Sequence, residues 1–346
     1  MKLSDFDYYL PKELIAQEPL SKRDASRLLV VDRRANTISH RRFRDLFEYL
    51  KPLELLVLNN TRVIPARLLG VKKDTGGKVD LLLVGRLSKK RFKALIRPHL
   101  KINQEIILNR GTVRAHLAGD KVLEFKKDLP SELLKKIGLM PLPPYIKRHP
   151  QELDALRYQT VYARNPGAIA CPTAGLHFTK ELLKEIKEKK VRIAYITLHA
   201  GVGTFKPVNR ENIKEHIMEP EEFNVSRKAQ GDVIKAKEKA GRIFAVGTTT
   251  ARALETAAAI FTNHEPRLPA GKAGTTNHCG HTNLFIYPGY KFKVVDCLLT
   301  NFHLPKTTLL MLACAFAGKD LIMQAYQEAI KEKYRFYSYG DAMLII

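Results

Sequence analysis

From Val63 the chain reads as short β-rich runs, at Ile64–Val71, Val79–Val84, Phe92–Ile96, Glu105–Leu108, Val113–Leu117 and Val122–Phe125. Gly76-Gly77, Gly111 and Gly119-Asp120 punctuate them. Turns about ten residues apart leave no room for helices, and such a segment folds as a small antiparallel barrel or sandwich. Pro141-Leu-Pro-Pro144 then makes a stiff exit. On either side the rhythm is different. Leu53-Glu-Leu-Leu-Val-Leu58 reads as a buried strand ending at Asn59-Asn-Thr-Arg62. After about residue 155, strands at Val191–Leu198, Ile243–Val246, Val294–Leu299 and Asp341–Ile346 alternate with helical segments. Thr179 and Ser226 have the N-cap residue type. Helices are expected after both, the second running to Ala240 with Gly241 at C′. Another is expected over about 250–261, one at Leu309–Ala317 stopping at Gly318, and an apolar helical face from Leu321 to Ile330. The expectation is a large layered α/β domain made of residues 1–62 and 151–346, with an antiparallel β-barrel domain, 63–150, inserted into it.

Composition narrows the function classes. The 45% hydrophobic content supports a core and argues against general disorder. No apolar run approaches the ~20 residues that span a bilayer. The opening Met1-Lys-Leu-Ser-Asp-Phe-Asp-Tyr lacks a signal-peptide core, so a cytoplasmic protein is expected. Lys and Arg number 59 against 35 acids, a net charge of +24. Such an excess favours a polyanionic partner, nucleic acid first. Basic clusters stand at Arg33-Arg34, His40–Arg44, Lys89–Arg91 and Lys147–His149, without a zinc-finger or helix-turn-helix pattern. The four cysteines form no CxxC pair, and no disulfide framework or metal site is expected. His278-Cys279-Gly280-His281 has ligand residue types but lies in a polar Gly/Thr/Asn stretch. Leu268–Asn277 reads as a low-complexity surface insertion, and its Gly-Lys lacks the spacing of a phosphate loop.

Chemistry concentrates in four loops that follow apolar runs: Pro172–Thr179, Thr197–Pro207, Val246–Glu255 and Leu299–Pro305. Each joins glycine or threonine to an imidazole or a guanidinium. Loops of this kind at the ends of buried strands build one crevice from distant sequence. Gly247-Thr-Thr-Thr250, between a strand and a helix, can receive a carboxylate or phosphate on free N–H groups. Arg252 and Glu255, three apart, can hold the two ends of a zwitterion. His199 is followed by Gly201 and Gly203, while His177 and His303 neighbour Phe178 and Phe302. Each is a candidate proton carrier beside a ring. Among commoner signatures, G-x-S-x-G, H-E-x-x-H, the kinase set and a Rossmann G-x-G-x-x-G are missing.

The same residues resemble the S-adenosylmethionine:tRNA ribosyltransferase-isomerase family of queuosine biosynthesis. The resemblance runs almost end to end. It takes in Leu14–Leu20, Arg23-Asp24, Ser26–Leu29, Thr61–Arg67, Met140–Lys147, Arg157–Tyr162, the four loops, Leu284–Tyr290 and Tyr337–Asp341. It departs from the family at Cys171, Cys297 and Glu219, where alanine, glycine and histidine are expected. The resemblance implies S-adenosylmethionine as ribosyl-donor cosubstrate, no regenerated cofactor and no metal. The implied partner is tRNA carrying 7-aminomethyl-7-deazaguanine in its anticodon, with epoxyqueuosine-tRNA, adenine and methionine as products. A monomer with no membrane association is expected. His177, His199 and His303 are the candidates for proton transfer. Gly247, Thr248, Thr249 and Arg252 are candidates for the donor's amino-acid end. Phe178, Phe205 and Phe302 are candidates for packing on a base. The other substrate-binding candidates are Arg23, Asp24, Asn59, Thr61, Arg62, Thr173, Gly175, Thr179, Gly201, Gly203, Thr204, Glu255 and Asn301. Two readings compete: an RNA methyltransferase using the same donor, and a non-enzymatic basic tRNA-binding protein.

Overall fold

The structure, a computed structural model, describes residues 1–201, 203, 208–262 and 277–346. Thr204, Phe205 and most of the low-complexity insertion lie outside the described residues. Strands β1 (Arg27–Asp32) and β2 (Thr37–Arg42) form a hairpin, and α1 (Leu46–Tyr49) leads to β3 (Leu55–Asn59) and β4 (Thr61–Val63). Six strands follow: β5 (Arg67–Lys72), β6 (Lys78–Arg86), β7 (Arg91–Arg97), β8 (Glu105–Leu108), β9 (Val113–Gly119) and β10 (Val122–Phe125). Then come α2 (Ser131–Ile137), α3 (Glu152–Arg157), β11 (Asn165–Ala168), α4 (Lys180–Glu188), β12 (Arg192–Leu198) and β13 (Glu221–Val225). The chain continues through α5 (Arg227–Glu238), β14 (Ile243–Val246), α6 (Thr248–Thr256), α7 (Ala258–Thr262) and β15 (His278–Thr282). It finishes with β16 (Cys297–Asn301), α8 (Thr308–Ala317), α9 (Lys319–Lys331) and β17 (Ala342–Ile345).

The six consecutive short strands close into an antiparallel barrel, in the order β10-β7-β6-β5-β8-β9. Their alternating apolar residues, such as Leu81 and Leu83 of β6 and Ala115 and Leu117 of β9, share one buried cluster. Entry and exit of the barrel are zipped together: Arg67 and Leu139 exchange backbone hydrogen bonds of 3.2 and 2.8 Å. A side chain at Gly138 would stand 1.9 Å from the Pro65 carbonyl oxygen, so glycine is required at that crossing.

Nine other strands form a mixed sheet ordered β15-β13-β12-β3-β14-β16-β17-β1-β2. β12, β3, β14 and β16 run parallel, whereas β17 is antiparallel to β16 and parallel to β1. Both faces are buried, and the period of two divides each strand between them. Leu55 and Val57 of β3 pack with residues of α5, α6, α8 and α9, and Leu56 and Leu58 pack with α1 and α4. Among the described residues no single helix is long and apolar enough to cross a membrane, and α8 and α9 meet at a 115° bend.

Three local expectations are corrected. The helix expected over 250–261 is two helices, because the Thr256 hydroxyl donates to the Arg252 carbonyl (2.8 Å) at the break. The left-handed residue after α5 is Ala240 (φ +52°), not Gly241. Gly241 is demanded instead by close approach, since a Cβ there would lie 2.5 Å from the Leu53 oxygen. The strand expected from Val294 begins at Cys297, because the Val294 and Val295 N–H groups donate to Glu255 (2.9 and 3.0 Å).

Candidate active site

Parallel strands deliver their C-terminal ends to one edge of the sheet, which is where open α/β sheets form crevices. The stretches after β3, β12, β14 and β16 therefore start side by side. Antiparallel β17 brings a fifth segment there: Ala342 pairs with Asn301 and, on its other side, with Leu28. Ser338–Asp341 and Ser26 consequently arrive at the same edge. A cavity of about 660 Å³, including its open mouth, lies among these ends.

The floor is the start of α6 and the end of β16. Gly247 takes φ +89°, a conformation open to glycine, and its N–H donates to the Leu299 carbonyl (2.8 Å). That turn aims the first-turn N–H groups of α6 at the cavity, which Gly247, Thr248 and Thr249 line. The Thr249 hydroxyl accepts from Asn59 Nδ2 (3.2 Å), and Thr250 donates back to Val246 (2.6 Å). Thr300, Asn301, Phe302 and His303 continue the floor, and Cys171–Ala174 form one wall. Tyr145, Tyr337 and Ser338 make the wall opposite. Tyr145 stacks on Tyr337 at 4.5 Å, and the Tyr145 and Ser338 hydroxyls are 2.6 Å apart. Tyr337 is itself in the left-handed region (φ +72°). Among the described residues no Asp, Glu, Lys or Arg lines this cavity, and the positive end of α6 is the electrostatic feature they give it.

The three histidines occupy three environments. His303 lines the cavity, with Nε2 2.7 Å from the Thr300 hydroxyl. Its backbone N–H donates to Tyr326 and its carbonyl accepts from Tyr8. Burial pushes its pKa down to about 3, so the ring is neutral at physiological pH. His177 lies behind Asn301, with Nδ1 2.7 Å from Ser26 Oγ and Nε2 3.2 Å from Asn301 Nδ2. With the amide donating, the ring proton sits on Nδ1 and both nitrogens are engaged. Burial, reinforced by Arg23 and Arg335, pushes this ring down to about 3 as well. His199 is half-buried, holds Thr61 Oγ1 at 2.7 Å through Nδ1, and lies flat over Gly167. A Cβ at Gly167 would be 2.8 Å from the ring. His199 does not line the cavity, although Ala200 beside it does, and burial lowers its pKa.

Of the sequence candidates, Thr173, Gly247, Thr248, Thr249, Asn301, Phe302 and His303 come together here. Others hold the scaffold. Arg252 and Glu255 diverge, contrary to the expected zwitterion clamp. Arg252 is buried against Glu221 and donates to the Leu284 carbonyl (3.0 Å). Glu255 accepts from Tyr290 and from the N–H groups of residues 293–295. Phe178 is in the core against Phe43 and Tyr162, and the Phe302 ring packs on Tyr326, Tyr334 and Phe336, so neither ring is free to stack on a base. Thr179 caps α4 through Leu182 N (3.0 Å), and Gly175 makes room for the Tyr162 hydroxyl. Asn59 ties β3 to Leu198, Asp24 faces Arg44, Arg62 is exposed, and Gly201 donates to Glu221. Gly203 lies against Glu219. Arg23 and His177 line a second cavity of about 290 Å³ on the far side of Ser338. Sequence reasoning missed Tyr145, Tyr337, Ser338, Thr300 and Thr307 as lining residues. The first three stand in motifs that carried the resemblance, Met140–Lys147 and Tyr337–Asp341, so a signal was present without any histidine or glycine pair to mark it.

Comparison with known proteins gives the family. Residues 3–345 match the family described as Queuosine biosynthesis protein. An S-adenosylmethionine:tRNA ribosyltransferase-isomerase of Sulfurihydrogenibium sp. (strain YO3AOP1) is 52% identical, covering 100% of both chains. The crystal structure of an S-adenosylmethionine tRNA ribosyltransferase from Thermotoga maritima is similar over 99% of this chain and 100% of that one, at 40% identity and a TM-score of 0.56. With a match over nearly the whole sequence and a relative 52% identical over full length, this chain belongs to the queuosine biosynthesis protein family.

Proposed function

We infer that the protein is an S-adenosylmethionine:tRNA ribosyltransferase-isomerase acting on 7-aminomethyl-7-deazaguanine at the tRNA wobble position, releasing adenine and methionine. The observation that carries this reading is the 52% identity over full length to a protein of that name. The methyltransferase and binding-protein readings have no such support. In this proposal the donor occupies the larger cavity. Its carboxylate lies on the first-turn N–H groups of α6, at Gly247–Thr249, where partial positive charge is fixed in advance. Among the described residues the sulfonium meets no cationic side chain in the cavity lining, which avoids like-charge repulsion.

The reaction needs proton abstraction beside the sulfonium, ring opening with loss of adenine, and amine attack with closure to the epoxide. A histidine held near pKa 3 cannot store a proton at neutral pH, so His303 acts as a neutral hydrogen-bonding group and His177 as a brace for Asn301. His199, the least buried of the three, remains the candidate proton acceptor in this proposal, and it would act from beyond the lining, next to Ala200. The Tyr145–Tyr337 stack offers the aromatic wall for a base. Residues 1–62 and 151–346 form the catalytic domain in this proposal and 63–150 the inserted one, and the enzyme works as a monomer.

The test is incubation with S-adenosylmethionine and tRNA bearing the aminomethyl-deazaguanine, followed by mass analysis of nucleosides and small products. Epoxyqueuosine with stoichiometric adenine and methionine is expected. S-adenosylhomocysteine would replace the reading with methyl transfer, and RNA binding without donor consumption would leave a binding protein.

A further inference from the structure

The second cavity differs from the first in charge. Lys22, Arg23 and Arg157 line it, and among the described residues no carboxylate does. Arg23 donates only to the carbonyls of Leu176 (3.0 Å) and Leu156 (2.9 Å), and Arg157 only to those of Ser21 (3.0 Å) and Leu20 (2.6 Å). Arg335, close behind, donates to the Glu18 carbonyl. Carbonyls satisfy donors but leave the positive charges uncancelled. Of the acids nearby, Asp24 faces Arg44, and Asp341, which accepts the backbone N–H groups of Arg27 and Arg335, acts on the Arg335 charge and leaves those of Arg23 and Arg157. Arg148, which grips the same stretch at Gln17, is the instructive contrast, since it has a bidentate carboxylate in Asp154 (2.7 and 2.8 Å). In this cluster the buried Arg157 Nε and Arg335 Nη1 have no hydrogen-bond partner among the described residues, as is also true of Arg252 Nη2 elsewhere. Burial and the Arg157 charge together lower the Arg23 pKa, as expected for cations gathered without a counter-ion.

We propose that this cavity is a phosphate seat, taking a phosphodiester next to the target nucleotide while the base enters the larger cavity. The proposal rests on the tRNA-modifying reading above and deepens it. With the donor placed as in that reading, two observations select an RNA backbone. Ser338 lines both cavities, and the chain Ser26–His177–Asn301 runs between them, so the two ligand positions are a single wall apart. The donor's carboxylate already has the α6 terminus. On the rim, α3 carries Leu153 and Leu156 exposed at 50% and 71%, an apolar surface beside cations that suits an unstacked neighbouring base.

The experiment uses the full-length protein and an anticodon stem-loop bearing the target base, with a neutral methylphosphonate placed in turn at each linkage flanking that nucleotide. Binding is read by anisotropy and turnover by adenine release, for wild type and Lys22→Ala. One neutral linkage is expected to weaken RNA binding about tenfold in wild type and less than about twofold in Lys22→Ala, because the partner charge is already gone. Lys22→Ala should also lower the slope of log affinity against log salt by about 0.7, and Lys22→Arg should restore it. Equal penalties in both proteins overturn the proposal. So does a Lys22→Ala variant whose KM rises for S-adenosylmethionine and not for RNA, which would give the cavity to the donor carboxylate. Absence of adenine release by wild type on the unmodified RNA would defeat the parent reading instead, leaving the anisotropy arm to decide the phosphate seat.

Discussion

The two halves of α6 are one helix with opposite employments. Its start, Gly247–Thr249, lines the cavity, with the free N–H groups of a helix N-terminus there. One turn on, Arg252 and Glu255 are buried and fully turned to the protein, to Glu221 and Leu284 in one case and to Tyr290 and residues 293–295 in the other. Charged residues beside a binding loop are thus no guide to the ligand. Here they fix the helix so that its uncharged end can do the binding.

Mutations can break that division. The largest effect is expected from Arg252→Ala, which takes the guanidinium away from the buried Glu221 carboxylate and should cost about 3–5 kcal/mol of stability, read by urea denaturation. The folded fraction should keep its donor affinity, and a loss of affinity at unchanged stability would show that the second half also binds. Gly247→Ala comes next. A Cβ there has space, its nearest neighbour being 3.7 Å away, so the cost is the strained φ, about 1–3 kcal/mol. It should appear mainly as weaker donor binding in calorimetry. Thr248→Val should be milder, losing about 0.5–1.5 kcal/mol of donor affinity with little change in melting temperature.

Acid offers a smaller, graded test on the β16 side of the cavity. His177 and His303 have folded pKa values of about 3, below the unfolded value of about 6.5. The unfolded chain therefore binds more protons between these limits. Stability is complete above about pH 6.5 and falls as pH drops toward 3, by up to about 1.4 kcal/mol per pH unit for each ring. His303→Gln should make the melting temperature less sensitive to pH over that window, and an unchanged slope would mean the ring is solvated.

Much of this was legible in the chain. β8, β10 and β14 fall on the predicted runs, and all six barrel strands overlap theirs, because close turn spacing and period-two burial are local signals. The loops at Gly247 and Thr300–His303 were legible for the same reason, following strands of unbroken apolar residues. So was the N-cap at Thr179, whereas the roles of Arg252, Glu255 and Phe178 were not. Each is decided by a partner far away in sequence, such as Glu221 or Tyr162, and residue type says only that some partner is needed. Tyr145 and Ser338 are the converse case: ordinary residues that become a wall because β17 runs antiparallel beside β16.

That placement of β17 has a consequence for synthesis. Leu28–Val31 of the N-terminal hairpin find their neighbours in Ala342–Ile345, roughly three hundred positions later. At about 5–20 residues per second, four apolar residues wait some tens of seconds with an unsatisfied edge. Nascent chains stalled in that interval would be sticky, and a holding chaperone should recognise the exposed Leu28–Val31 ribbon before any other part of the fold.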